Sequence, residues 1–148
     1  MCLSKNIYLA DDDEDDRLFF QDALTEVCQE VTLTVAKDGV ELMDILYLPP
    51  TPLPDVIFLD LNMPAKNGFE CLEEIKRSEL LKHLPVIIFS TTVQEDAVNK
   101  VYKEGANFYI RKPDNFAQLK RVLKKVLTID WLNEVKQISK EQFIVSVA

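Results

Sequence analysis

Glycine is scarce in this chain, with only Gly39, Gly68 and Gly105 among 148 residues. They lie too far apart for a G-x-G-x-x-G fingerprint or a P-loop, both of which need clustered glycines so that backbone amides can close on phosphate. The three cysteines, Cys2, Cys28 and Cys71, are odd in number and lack C-x-x-C spacing. Neither a zinc site nor a disulfide framework follows from them, and they read as free thiols in a reducing compartment. The single histidine, His83 in "LLKHLP", has no second histidine with which to form a ligand pair, and reads as a loop residue rather than a phosphodonor. No apolar run approaches the roughly 20 residues of a membrane span, and "MCLSKNIYLA" is too short in apolar residues for a secretory signal. The expected location is cytoplasmic. Basic residues are also in deficit: 17 against 25 acidic ones give a formal net charge of -8. That balance disfavours nonspecific binding to nucleic acid or anionic membranes, and favours a cation or a basic protein patch as partner.

What is present is an ordinary globular composition, 47% hydrophobic and 28% charged, in a length that suits one domain. Four short runs are apolar without interruption: Ile7 to Ala10, Val56 to Leu59, Val86 to Phe89 and Phe108 to Ile110. Such runs suit strands covered on both faces, as in a parallel sheet. "VTLTV", residues 31–35, alternates instead and suits an edge strand. Helical stripes separate the strands: Phe20, Ala23, Leu24 and Val27; Val40, Met43, Ile45 and Leu46; Phe69, Leu72 and Ile75; Ala97, Val98 and Val101; and Leu119, Val122, Leu123, Val126 and Leu127. Five strands alternating with five helices imply an α/β, doubly wound parallel sheet with helices on both faces. With the alternating strand at an edge, the order is 2-1-3-4-5, which flavodoxin and a chemotaxis regulator share. The proline-rich "LPPTPLPD", residues 48–55, reads as a loop before the third strand. After residue 130 the pattern loosens, and residues 131–148 carry no second core.

Ligands of open parallel sheets bind beyond the carboxyl ends of the strands, near the point where strand order reverses. There the first strand delivers Asp11 and Asp12, the third Asp60, the fourth Ser90 and the fifth Lys112. Each has a plain structural reading. Asp12 or Asp13 would cap the first helix, with Glu14, Asp15 and Asp16 facing its dipole. Asp60 would pair with Lys112, and Ser90 would cap the next helix. Together they form a coherent chemical set. Convergent carboxylates offer a hard oxygen site for Mg²⁺, a carboxylate can become an aspartyl phosphate, and a lysine and a hydroxyl can hold phosphoryl oxygens.

At these residues the chain resembles the receiver domain of bacterial two-component response regulators. The motifs "YLADD", "DVIFLDLNMPAKNGFE", "LPVIIFSTT" and "GANFYIRKP" recur in that family's order and spacing, across residues 5–127. The resemblance implies a CheY-like receiver over residues 1–130 with a C-terminal extension, 131–148, and no separate output domain. It implies that Asp60 is the phosphoacceptor, that Asp11, Asp12 and Asp60 hold Mg²⁺ with the backbone carbonyl of Asn62, and that Ser90 and Lys112 contact the phosphoryl group. Tyr109 matches the aromatic position whose rotation reports phosphorylation; a tyrosine that simply packs on an edge strand is the alternative. Pro64 and Gly68 match the turn after the acceptor, and Pro113 follows the lysine.

The chain also departs from the family pattern. "KPDNF" is two residues longer than the usual Lys-Pro-Phe, and Thr91 occupies a position often held by Ala or Gly. Asn62 and Thr92 lie where the family varies and tunes phosphoryl lifetime. With "STTVQEDAV" and "DWLNEV", where Trp131 is expected to pack the extension, the chain is similar to stand-alone regulators related to phytochrome partners. The implied activity is transfer of a phosphoryl group from a sensor histidine kinase or histidine phosphotransfer protein to Asp60, with self-dephosphorylation and no other catalysis. The implied output is partner choice or a homodimer through the fourth helix, fifth strand and fifth helix. Two readings stand beside it: a phosphorylation-independent scaffold, and a Mg²⁺-dependent phosphohydrolase. The second is weakened because "DLN" at 60–62 has Asn where a D-x-D phosphatase motif has its second acid.

Overall fold

Ten elements alternate along the chain in a computed structural model, which describes residues 5–48, 52–92, 94–129 and Phe143. They are β1 (Asn6–Ala10), α1 (Glu14–Val27), β2 (Thr32–Ala36), α2 (Gly39–Tyr47), β3 (Val56–Leu59), α3 (Gly68–Arg77), β4 (Val86–Ser90), α4 (Glu95–Glu104), β5 (Phe108–Arg111) and α5 (Phe116–Leu127). The sheet is fully parallel in the order β2-β1-β3-β4-β5, as the apolar runs imply. Trp131 and the "DWLNEV" segment lie outside the described residues.

Alternation along each strand divides the core into two layers. Tyr8, Ala10, Ile57, Leu59, Val86, Ile88 and Tyr109 face α2, α3 and α4, whereas Ile7, Leu9, Val56, Phe58, Ile87, Phe89 and Ile110 face α1 and α5. On the second side Phe20, Phe58 and Phe89 pack edge to face, with ring centroids 4.9–6.2 Å apart. Such aromatic pairs add about 0.5–1.5 kcal/mol each beyond their buried area.

The stripe on α2 differs from the sequence reading. Val40 is 46% exposed, and the buried row is Gly39, Leu42, Met43 and Leu46. The row begins on a glycine because a Cβ at position 39 would lie 2.1 Å from the Lys66 carbonyl oxygen and 2.6 Å from Cys71 Sγ. β2 starts one residue later than expected. Its Val35 is 40% exposed, in keeping with an edge strand that has no neighbour on one side.

Four helices carry side-chain caps on their first turns: Asp13 on α1, Asp38 on α2, Asn67 on α3 and Asn115 on α5. Asn67 and Glu70 complete a capping box, satisfying two otherwise unpaired amides. Gln94 at the start of α4 makes no such bond. No helix among the described residues is long and apolar enough to cross a membrane.

Candidate functional site

The sheet's hydrogen-bond ladder continues one residue past the strands and so fixes the polar groups at its carboxyl edge. Asp11 N donates to Ala36 O, Asp60 N to Ala10 O and Lys112 N to Ser90 O, each at 3.0 Å. Backbone held this way gives the side chains little freedom of approach. Asp11 and Ser90 are fully buried and Asp60 is 5% exposed. Carboxylate oxygens of Asp11, Asp12 and Asp60 lie within 4.8 Å of one another.

Lys112 is the hub of this cluster. Its Nζ lies 2.8 Å from Asp11 Oδ2, 2.8 Å from Asp16 Oδ2 and 3.1 Å from Asp60 Oδ2. The bonds to Asp16 and Asp60 are aligned, whereas the approach to Asp11 Oδ2 is close but off axis, leaving that buried oxygen without a directed donor. Burial pushes the Asp11 carboxyl up to about 6, against the close Lys112 ammonium and the hydrogen bond from the Asp13 amide. Burial pulls Lys112 down, but the surrounding carboxylates outweigh it and raise its pKa overall. Three carboxylates contact the Lys112 ammonium and Asp12 lies beside two of them, so the cluster carries more negative than positive charge.

The orphaned Asp11 oxygen and the hard-oxygen donor set together fit a divalent cation. Asp11, Asp12 and Asp60 are the side chains able to hold it.

Asp13 lies outside this cluster. Its Oδ1 accepts from Asp16 N at 3.1 Å as the α1 cap, while its own amide donates to Asp11 Oδ1 at 3.0 Å. The sequence left the cap open between Asp12 and Asp13, and the structure gives it to Asp13. Asp16 is the residue the sequence reading missed. Taken only as a dipole partner, it also reaches across to Lys112. One signal was available: Asp16 lies in the first turn of α1, five residues after Asp11. Ser90 does not cap α4, which starts after Gln94.

The loop after Asp60 turns sharply at Ala65, which has φ 65°, as Lys66 N donates back to the Pro64 carbonyl at 2.7 Å. A positive φ in a non-glycine residue is strained. Gly68 serves a different purpose: a Cβ there would lie 2.2 Å from the Asp60 carbonyl oxygen. Asn62 is exposed; its amide N points to Asp60 Oδ1 at 3.4 Å and its Nδ2 donates to Thr92 Oγ1 at 3.2 Å. Thr92 N donates to Ser90 Oγ at 3.3 Å, and Thr91 is exposed beside it. Tyr109 is 1% exposed and its hydroxyl donates to the Thr92 carbonyl. The lengthened "KPDNF" has a local purpose. Pro113 leaves the strand, Asn115 caps α5, and Phe116 packs on Phe19 at 5.5 Å.

A model of the response regulator receiver domain matches residues 7–124. The chain belongs to this family. The receiver is similar to the response regulator Rcp1 of Synechocystis, 33% identical over 135 residues that cover 88% of this chain and 91% of that protein. It is 30% identical over 128 residues to the chemotaxis protein CheY of Halobacterium salinarum, covering 85% and 99% of the two chains. Among solved structures, the phosphorylated cyanobacterial phytochrome response regulator RcpA superposes with a TM-score of 0.79 at 34% identity, over 91% of this receiver and 99% of that chain. The Mn²⁺-bound form of Rcp1 gives 0.76 at 32%, with the same coverage. The receiver is therefore a phosphorelay signalling protein, related to the phytochrome-associated regulators, and its family's own catalysis is limited to gaining and losing the phosphoryl group.

Proposed function

We propose that Asp60 accepts the phosphoryl group, in a Mg²⁺-dependent transfer from a sensor histidine kinase or a histidine phosphotransfer protein. The observation that carries this reading is the convergence on Asp60 of two further carboxylates and the Lys112 ammonium at a nearly closed strand end. A carboxylate oxygen of Asp60 attacks phosphorus as the bond from phosphorus to the donor nitrogen breaks, and the electron pair leaves with the imidazole. Lys112 neutralises charge on the phosphoryl oxygens, and the Ser90 hydroxyl donates to one of them. Bound Mg²⁺ supplies further charge neutralisation and oxygen coordination, with Asp11, Asp12, Asp60 and the Asn62 backbone carbonyl as its protein ligands. Water attacking phosphorus later returns inorganic phosphate and the free carboxylate. An open groove of about 520 Å³ lined by Asp12, Asn62, Met63, Pro64 and Phe69 gives a donor access to this edge.

Phosphorylation adds about −1.5 to −2 charge at a site already rich in acid, drawing the Ser90 segment inward and altering the surface of α4, β5 and α5. That surface is where a protein partner or a second copy docks, with Tyr109 as the switch aromatic and Thr91 and Thr92 as neighbours that tune access. Residues 1–130 act as the receiver and 131–148 as an extension of it.

Incubation with Mg²⁺ and acetyl phosphate, followed by intact mass measurement, tests the reading. A single adduct of about 80 Da, absent in Asp60→Asn, is expected for one added phosphoryl group. No adduct from either acetyl phosphate or a histidine kinase would favour a phosphorylation-independent scaffold. Sustained turnover of unrelated phosphoesters would favour a phosphohydrolase.

A further inference from the structure

Phe143, far beyond the last helix in sequence, lies inside the core. It is fully buried, with its ring edge to face against Tyr102 of α4 at 5.1 Å and against Tyr109 of β5 at 6.2 Å. A buried phenylalanine at that place has a plain explanation as an apolar clip for the C-terminal segment. Its neighbour makes it more than that. The Tyr109 ring that Phe143 covers sends its hydroxyl to the Thr92 carbonyl, and Thr92 N in turn donates to Ser90 Oγ. The Thr92 hydroxyl accepts from Asn62 Nδ2, and Asn62 N points at Asp60. Contacts therefore run without a break from Phe143 through Tyr109 and Thr92 to the hydroxyl and carboxylate of the site.

Removing the Phe143 ring opens one side of the Tyr109 socket. A phenol ring that is 1% exposed and has the Phe143 ring at 6.2 Å gains room to swing outward, and its hydroxyl then leaves the Thr92 carbonyl. The segment that carries Ser90 loses an anchor at the moment it must present a hydroxyl to an incoming anion. Preorganised donors bind charge better than mobile ones, because no ordering cost falls on the binding step.

We propose that Phe143 is a positioning residue for the switch: by closing over Tyr109 it holds the Ser90–Thr92 segment in the arrangement that receives a phosphoryl group. Docking of Phe143 and phosphoryl occupancy at Asp60 then favour each other, and the coupling is reciprocal because it is a free energy shared between two sites. The inference rests on the reading of Asp60 as acceptor. It also means that a partner or second copy binding across α4 and β5 meets a surface whose aromatic socket is already filled from within the same chain.

Two measurements on the full chain test it. In the first, calorimetric titration with beryllofluoride in Mg²⁺ compares wild type with Phe143→Ala and Phe143→Leu. The alanine variant is expected to bind about three- to tenfold more weakly, the scale of one or two lost edge-to-face ring contacts, with leucine in between. In the second, amide hydrogen exchange around residue 143 is followed in wild type with and without beryllofluoride and Mg²⁺. Exchange there slows by a similar factor when the analogue is bound. This second measurement needs no variant, so it decides even if Phe143→Ala does not fold. Unchanged exchange in wild type, or affinity in a folded alanine variant within twofold of wild type or tighter, overturns the coupling while leaving Asp60 as acceptor. A wild type that neither binds the analogue nor gains an adduct overturns both readings. An effect that grows with protein concentration assigns the ring to a second copy and overturns the intramolecular contact.

Discussion

Asp11→Asn isolates the electrostatic cost of building the site. Asp11 is fully buried, and burial raises its carboxyl from 3.8 to about 6 in the folded protein. A pKa raised on folding contributes stability that is complete below the unfolded value and is lost as pH rises through the folded one. At pH 7 the ionised carboxylate therefore costs about 3 kcal/mol relative to a neutral group, falling to about half of that at pH 5 and below about 1 kcal/mol at pH 4. Asparagine is neutral, nearly the same size, and retains an oxygen for the Asp13 amide. Urea unfolding in EDTA should find the variant more stable than wild type by up to about 3 kcal/mol at pH 7, with the gain shrinking on acidification. Adding Mg²⁺ should narrow or reverse the difference, because a ligand of the folded state stabilises the chain that binds it better. A variant less stable than wild type at pH 7 without metal, or a gain that does not change with pH, would refute the argument.

Three further substitutions address the same framework. Lys112→Ala strips the ammonium that contacts both Asp11 and Asp60, and should destabilise the metal-free protein by about 3 kcal/mol in urea unfolding, partly recovered by Mg²⁺. Asp16→Asn breaks only the pair whose acid is 41% exposed, and should cost less than about 1 kcal/mol in the same assay; equal losses would mean that Lys112 does not depend on the buried acids. Gly68→Ala forces a methyl against the Asp60 carbonyl and the Leu61 Cα, and should cost about 1–3 kcal/mol by thermal or urea unfolding, since backbone on both sides cannot step aside.

The fold was legible because each β-strand and helix announces itself in a different period. Val56 to Leu59 and Val86 to Phe89 are apolar at every position, as suits short strands buried on both faces, and the sheet places both in its interior. The site was legible where strand ends carry charge, because Asp60 after Leu59 and Lys112 after Arg111 have no benign environment without one another. Less visible were relationships that depend on a helix's rotation about its axis. Val40 counts as apolar in any pattern, yet the inward face of α2 is set by Gly39 fitting under the Lys66 carbonyl. Asp16 counts as one acid in a run of six, yet its turn of α1 brings it to Lys112. Phe143 was unreadable for another reason. It stands in a segment without periodicity, and its partners Tyr102 and Tyr109 come from elements that only the folded sheet brings together.

The uneven capping of the helices sets where this molecule can yield. Asp13, Asp38, Asn67 and Asn115 each tie the first turn of a helix to the loop before it, and undoing such a tie costs about 1 kcal/mol. α4 has no tie of this kind, and its start follows directly on the Ser90–Thr92 segment. A disturbance at the carboxyl edge thus meets four stiff exits and one compliant one. Among the described helices that leave this edge, α4 is the one whose first turn no side chain ties down.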